Sequence, residues 1–277
     1  MENKLKEMRK KIFLAAYSAG IGHLPSAFSC IEILFALYLN GIMRYDPENP
    51  RWDERDILIF SKGHGSLALY TVLAEAGFFT ENELYCFCSP GTKLGGEPNW
   101  LETPGVEAST GSLGHGLSIA LGIALALKVD NKDNHVYCLA GDGECQEGSI
   151  WEAIMSAPGF KLDNLTCIVD NNHIQKMDFI SNIIGMDALG LQFNSFGWQV
   201  KTANGHDIMD IKNKLTETWV KGSPHCLIAE TVKGKGLSLM ENNPAWHWRM
   251  PNKKELEVFC SELDISEDEL EAVRRRR

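Results

Sequence analysis

Two short segments of the chain hold residue types that together can bind a phosphate and a metal ion. Gly141-Asp142-Gly143-Glu144 follows one apolar run and Asn171-Asn172 follows the next, with Asn172 lying 30 residues beyond Asp142. Glycines on both sides of a carboxylate let a main chain approach a phosphate closely and present N–H groups at a helix start. The Asp142 carboxylate and the Asn172 amide oxygen are hard donors, suited to an octahedral magnesium ion that also takes diphosphate oxygens. The bland alternative is a tight turn followed by an Asn-rich turn. The placement of both halves at the ends of apolar runs weighs against it.

With that pair as anchor, Gly141-Asp142-Gly143 and Asn172 resemble the thiamine-diphosphate motif, and other segments resemble the transketolase family. Gly22-His23-Leu24-Pro25-Ser26 is similar to its early GHxGS loop, and residues 58–65 to its strand followed by SKGH. Residues 103–106 and 110–116 resemble its TPG and TGSLGQG runs, residues 141–148 its GDGExQEG, and residues 233–247 its KGKG…MEN…WH segment. The similarity runs in order through nearly the whole chain.

The resemblance implies the thiamine-diphosphate-binding α/β fold and transfer of a two-carbon ketol unit from a ketose to an aldose. Thiamine diphosphate and Mg2+ are the implied cofactors, with Ca2+ or Mn2+ as substitutes. His23, His64 and His247 match the family's active-site histidines, and proton transfer at alkoxides is work for imidazoles. By the same match, His23 and His247 face the reacting hydroxyls, while His64 and His247 lie near the diphosphate. Gly111 and Leu113 offer backbone contacts to the aminopyrimidine, and Gly143 offers its N–H to the diphosphate. Ile174 gives a carbonyl to the metal beside Asp142 and Asn172. Glu147 matches an acid at the subunit interface, either a salt-bridge partner or a proton relay. His115 stands where the family has glutamine, which speaks against a direct role. His135, His173, His206 and His225 are expected to be structural.

Two departures fall on the substrate side. Glu97 stands where the family has the histidine of GHP, and Trp248 where it has the glycine of WHG. Drift is one explanation; an unusual ketose, sulfonated or branched, is the other. The family's full-length members are more than twice as long. Residues 1–277 are therefore expected to form a single diphosphate-binding domain, with the pyrimidine-binding and C-terminal domains on a separate chain in an α2β2 assembly. Rival readings are a fragment of another thiamine-diphosphate enzyme (deoxyxylulose-phosphate synthase-like or a ketoacid dehydrogenase) and a non-catalytic remnant.

These motifs require elements that bring them together. Residues 56–61 form an apolar run ending in Lys62-Gly63-His64-Gly65, with a helical pattern through Leu69, Val72 and Ala76 to Gly77. Residues 135–140 precede the Gly141 turn and a helix through Trp151 and Met155; residues 165–169 precede Asp170-Asn171-Asn172. Residues 198–201 and 226–231 read as further strands around a helix through Ile208, Ile211 and Leu215. An apolar stripe predicts a first helix over 3–18, stopping at Gly20, and a second helix is predicted from about Ser29 to Leu39. Apolar strands alternating with helices predict a mostly parallel, doubly wound sheet with helices on both faces. Stretches 88–114 and 174–197 exceed ordinary connection lengths and read as functional loops.

Composition narrows the partners. Lys plus Arg number 27 against 37 acidic residues, a formal charge of -10, so nucleic acid is not expected. The one basic run, 274–277, is expected to be a solvated tail. No apolar stretch approaches the ~18 residues that span a bilayer, so no membrane association is expected. The N-terminus reads as an amphipathic helix rather than a signal peptide. The eight cysteines then read as reduced thiols in the cytoplasm, and without a CxxC no zinc site is expected.

Overall fold

Five runs of apolar residues pair into one parallel sheet in the computed structural model, which describes residues 1–186 and 188–274. The strands are β1 (Ile57–Phe60), β2 (Val136–Gly141), β3 (Leu165–Asn171), β4 (Gln199–Asn204) and β5 (His225–Glu230), in the order β1-β2-β3-β5-β4. All four neighbouring pairs are parallel. The helices are α1 (Glu2–Ala19), α2 (Leu24–Leu39), α3 (Ser66–Glu75), α4 (Gly116–Val129), α5 (Gly148–Gly159), α6 (Ile180–Ile183), α7 (Leu189–Ser195), α8 (Ile208–Thr216), α9 (Lys253–Glu262) and α10 (Glu267–Arg274).

Alternate strand residues point into two separate cores. Leu58, Phe60, Leu139, Ile168 and Leu227 pack under α1, α2, α3 and α8. Ile59, Cys138, Val169, Cys226 and Ile228 pack under α4, α5 and α7. The sheet is thus doubly wound, as the alternation of elements predicts. Register aligns the carboxyl ends: Gly141 lies opposite Asp170, and Asn171 opposite Glu230. The motifs after β1, β2 and β3 all leave the sheet at that one edge.

Several boundaries differ from expectation for identifiable reasons. Helix α2 begins at Leu24, five residues before Ser29, because Pro25 falls in its first turn, where a missing N–H costs nothing. Helix α4 has no periodic signal: its sequence GLSIALGIALALKV is apolar all round and shows no polar stripe. Helices α9 and α10 also go beyond the expected elements, although Asn252 and Glu255 form a capping box at the start of α9. The stretch 174–197 contains α6 and α7, whereas 88–114 has no helix or strand. Trp198 precedes β4 rather than joining it, buried with its indole N–H donated to the Ile154 carbonyl at 2.8 Å.

Arg274 is not a free tail residue. Its guanidinium donates to the Tyr17 hydroxyl at 3.0 Å and lies over that ring; Arg275, Arg276 and Arg277 fall outside the described residues. Among the described residues no helix is long and apolar enough to cross a membrane, and no cluster of three or more His, Cys, Asp or Glu could hold a metal.

At the opposite edge of the sheet, His135 and His225 stack at 6.0 Å, and the Thr166 hydroxyl lies 2.7 Å from the His135 Nε2. Burial pushes His135 down to about 4 and His225 down to about 3. Below the ordinary imidazole value the unfolded chain therefore binds protons that the folded chain refuses. Stability should be full above about pH 6.5 and fall toward pH 4, by up to about 1.4 kcal/mol per pH unit for each such histidine. Urea denaturation at pH 7 and pH 5 checks this. The His135→Gln, His225→Gln chain should show a clearly smaller difference between the two, and an unchanged difference would contradict the assignment.

Candidate active site

Each turn at the carboxyl edge contributes one wall of a cavity of about 330 Å³. His23 is the N-cap of α2, His64 lies in a 3-10 turn (Gly63–Gly65) directly after β1, and His247 follows the 3-10 turn Pro244–Trp246. Their rings meet edge to face: His23 to His64 at 5.4 Å, His23 to His247 at 5.3 Å, and His64 to His247, more tilted, at 6.0 Å. Residues more than 200 positions apart in sequence thus form one imidazole cluster.

Burial holds all three neutral. It pushes His23 down to about 4 and His247 to about 3, helped in both cases by the Lys233 ammonium, and it holds His64 well below its usual value with Lys62 next in effect. At neutral pH these imidazoles are uncharged and can exchange hydrogen bonds without presenting charge.

The floor is the pair of turns after β2 and β3. Asp142 is buried; its Oδ1 accepts the Gly143 N–H at 2.7 Å and its Oδ2 accepts the His173 N–H at 2.5 Å. His173 reaches this position through a left-handed backbone, φ 63°, with its ring turned outward toward Glu230. Burial and the neighbouring Asp170 raise the Asp142 carboxyl to about 6. The Asn172 Oδ1 accepts the Ile174 N–H at 3.2 Å and its amide donates to Asp170 at 3.3 Å. The Ile174 carbonyl accepts the Lys233 ammonium at 2.7 Å. Asp142, Asn172 and Ile174 thus line the same cavity. The Gly143 N–H does not point free: it is held by Asp142 because the 3-10 turn (Gly143–Gln146) starts there with Asp142 as its cap.

One loop closes the side. Gly111, at φ 138°, packs so closely on Glu97 that a Cβ there would overlap the carboxylate, and Gly63 meets the same backbone from below. Glu97, Gly111, Leu113 and Glu147 all line the cavity. Trp248 does not line it; the indole stands outside, 59% exposed, stacked on His23 at 5.8 Å and 14°. His115 is the N-cap of α4 and exposed.

The sequence assigns no role to several cavity residues, although Lys62 and Glu144 lie within its motifs. Lys62 is buried against Asp170, which also accepts the Ser29 hydroxyl at 2.6 Å. Glu144 accepts the N–H groups of Gly114 at 2.8 Å and Gly141 at 3.0 Å and the Ser61 hydroxyl, tying three loops together. Lys176 and Lys233 also line the cavity. Only the KGKG spacing hints at Lys233; nothing in the sequence distinguishes a buried lysine from an exposed one.

The donor set fits a diphosphate. Among the described residues Ser26 Oγ and His247 Nδ1 are buried without a hydrogen-bond partner, and both residues line the cavity beside three lysines. Such orphaned polar atoms are costly unless a ligand satisfies them. The oxygen donors of Asp142, Asn172 and Ile174 fit a small hard cation beside it.

A family model described as "Transketolase, thiamine diphosphate binding domain" matches residues 4–269. The chain belongs to the transketolase family. It is 42% identical over 264 residues to a subunit of the apulose-4-phosphate transketolase from Actinobacillus succinogenes, covering 95% of each chain. It is 38% identical over 248 residues to a 6-deoxy-6-sulfo-D-fructose transketolase subunit from a Clostridium species, covering 89% of this chain and 90% of that one. Human transketolase is 35% identical over 264 residues, but the match spans only 42% of its length. Among solved structures, transketolase from Campylobacter jejuni superposes with a TM-score of 0.86 at 29% identity, covering 99% of this chain and 46% of that one. The chain thus spans less than half the length of the full-length transketolases it matches. These relatives favour the transketolase reading over the rival thiamine-diphosphate enzymes.

Proposed function

We propose that this chain is the N-terminal subunit of a transketolase, active only with a partner subunit that carries the pyrimidine-binding domain. The observation that carries the reading is the cluster of three neutral histidines over a floor of Asp142, Asn172 and the Ile174 carbonyl. Residues 1–277 form the diphosphate-binding domain, Mg2+ is the resident cation with Ca2+ or Mn2+ as substitutes, and the assembly is an α2β2 heterotetramer in the cytoplasm.

When bound, thiamine diphosphate supplies the electron sink for breaking and forming the carbon–carbon bond beside a ketose carbonyl. The chain's own residues do the rest. Asp142, Asn172 and Ile174 hold the cation; Ser26, His64 and His247 hold the diphosphate end, with the Gly143 turn beneath. Gly111 and Leu113 present backbone to the aminopyrimidine. His23 and His247, neutral at working pH, take a proton from a sugar hydroxyl and return it. Glu147, exposed on the rim at the N-cap of α5, faces the partner.

The partner has a surface to cover. Helix α4 leaves Ile119 exposed, α5 leaves Met155 61% exposed and Phe160 after it 50% exposed, and Leu113 stands exposed at the cavity wall. Exposed apolar groups of this size, from Leu113 at the cavity wall to α4 and along α5, are typical of an interface. Relatives of similar length are themselves named as transketolase subunits, in keeping with a second chain.

The donor is an unusual ketose. Glu97 offers carboxylate acceptors, so it suits a sugar that presents a hydroxyl toward that wall, as the displaced hydroxymethyl arm of a branched ketose can. A sulfonated ketose is the second reading, favoured by the relative named for 6-deoxy-6-sulfo-D-fructose. Coexpression with the partner and assay of ketol transfer from branched, sulfonated and linear ketose phosphates tests the proposal. Transfer from a branched or sulfonated donor supports it; an assembled complex inert toward every ketose contradicts it.

A further inference from the structure

Lys233 is a buried lysine that no carboxylate among the described residues pairs with directly. It is 3% exposed, and among the described residues it forms no ion pair; its hydrogen bond goes to the Ile174 carbonyl at 2.7 Å. Lys62, the other buried lysine of the cavity, contrasts with it: Asp170 pairs directly with its ammonium, and the Ser26 carbonyl accepts from it at 3.1 Å. Asp142 and Asp170 attract Lys233 from a distance, and Lys62 repels it.

The main chain pins Lys233 in place. Its carbonyl accepts the Asn242 N–H at 3.0 Å, the preceding Val232 N–H donates to His206 Nε2 at 2.8 Å, and the following Gly234 N–H donates to the Pro25 carbonyl at 3.1 Å. Gly234 sits at φ 80°, and a Cβ there would meet Met240 backbone at 2.7 Å, so the turn has no room to shift. His206 is held in turn by Glu32, at 3.1 Å, which pairs with the buried Arg9. The ammonium can swing, but its Cα cannot leave.

We propose that Lys233 makes divalent-cation binding at Asp142, Asn172 and Ile174 conditional on a diphosphate. The inference rests on the metal assignment made above. An ammonium donating to the very carbonyl that serves the cation repels a lone divalent ion in a poorly solvated cavity. A diphosphate removes the conflict, since its oxygens are acceptors that both cations share. Metal and diphosphate then bind with positive coupling, each strengthening the other by the same factor.

The test uses the full chain, Mn2+ as the metal and inorganic pyrophosphate as the anion, with bound Mn2+ read by electron paramagnetic resonance. Lys233→Gln keeps a donor toward Ile174 and removes the charge. It should bind Mn2+ alone about tenfold or more tightly than wild type. The strengthening of Mn2+ binding by pyrophosphate should shrink by a similar factor. Lys233→Arg, which keeps the charge, should keep the wild-type coupling, and Lys233→Met substitutes for the glutamine variant if that one does not fold. If removing the charge leaves both the affinity and the coupling within about twofold of wild type, the proposal is overturned. Asp142→Asn separates this outcome from failure of the metal reading. Loss of Mn2+ binding in that variant upholds the assignment, and retained binding sinks the assignment together with the inference drawn from it.

Discussion

Asp142→Ala, assembled with the partner chain, is expected to lose ketol transfer altogether, a fall beyond about a thousandfold. The carboxylate is the charged member of the proposed cation ligands, and an amide or carbonyl oxygen binds magnesium more weakly. It also holds the turn, because its two oxygens accept the Gly143 and His173 N–H groups. Alanine would leave both half-buried donors without that partner, at up to about 1–3 kcal/mol each, so the turn itself would loosen. Asp142→Asn keeps one acceptor but sets its amide N–H groups against a backbone donor. It should retain the fold and a trace of activity at high Mg2+. Calorimetry of Mg2+ and thiamine diphosphate binding, with thermal melting as control, distinguishes the two losses. Wild-type cofactor affinity in Asp142→Ala would show that the cation is held elsewhere.

The second large effect concerns sugar specificity. Glu97 lies against Gly111 on the cavity wall, and Trp248 stacks on His23 outside it. One replaces a side chain that can donate hydrogen bonds with one that cannot, and it repels an anionic group nearby. The other adds an indole over His23, the imidazole proposed to face the reacting hydroxyl. A site built to hydrogen-bond a substrate hydroxyl rejects an analogue lacking it by about 10⁴-fold or more. Wild type should therefore be poor on xylulose 5-phosphate. Replacing both residues, Glu97→His with Trp248→Gly, should raise kcat/KM on that linear ketose by about 10²-fold or more and lower it on the native donor. If wild type already uses xylulose 5-phosphate well and the double variant changes nothing, the two departures are drift.

The legibility of this molecule follows from where its information lies. Strands β1, β2 and β3 announce themselves as short apolar runs, each ending near glycine or asparagine, and the turns after β2 and β3 carry Asp142 and Asn172. Chemistry and chain reversal coincide there, so one pattern reports both. Helix α4 is silent because a helix apolar on every side has no periodicity to read, and its outer face makes sense only against a partner. The capping residues of α9 are a signal that the sequence does carry, in Asn252 and Glu255, without an apolar stripe strong enough to draw notice. The roles of Ser26, Lys62, Glu144 and Lys233 depend on burial created by contacts between distant segments. Ser61 and Glu144, 83 positions apart, or Lys62 and Asp170, 108 apart, have no local signature. Family motifs carry the histidines across that gap. Position in the fold, not residue type, then explains why they are neutral.

The claim on which the rest depends is that this chain holds only part of a shared active site. Calorimetric titration of thiamine diphosphate with Mg2+ into the chain alone, into its partner alone and into their mixture measures this directly. Weak binding by each chain and tight, stoichiometric binding with ketol transfer by the mixture is the predicted result. Full-strength binding and turnover by the isolated chain would contradict the account.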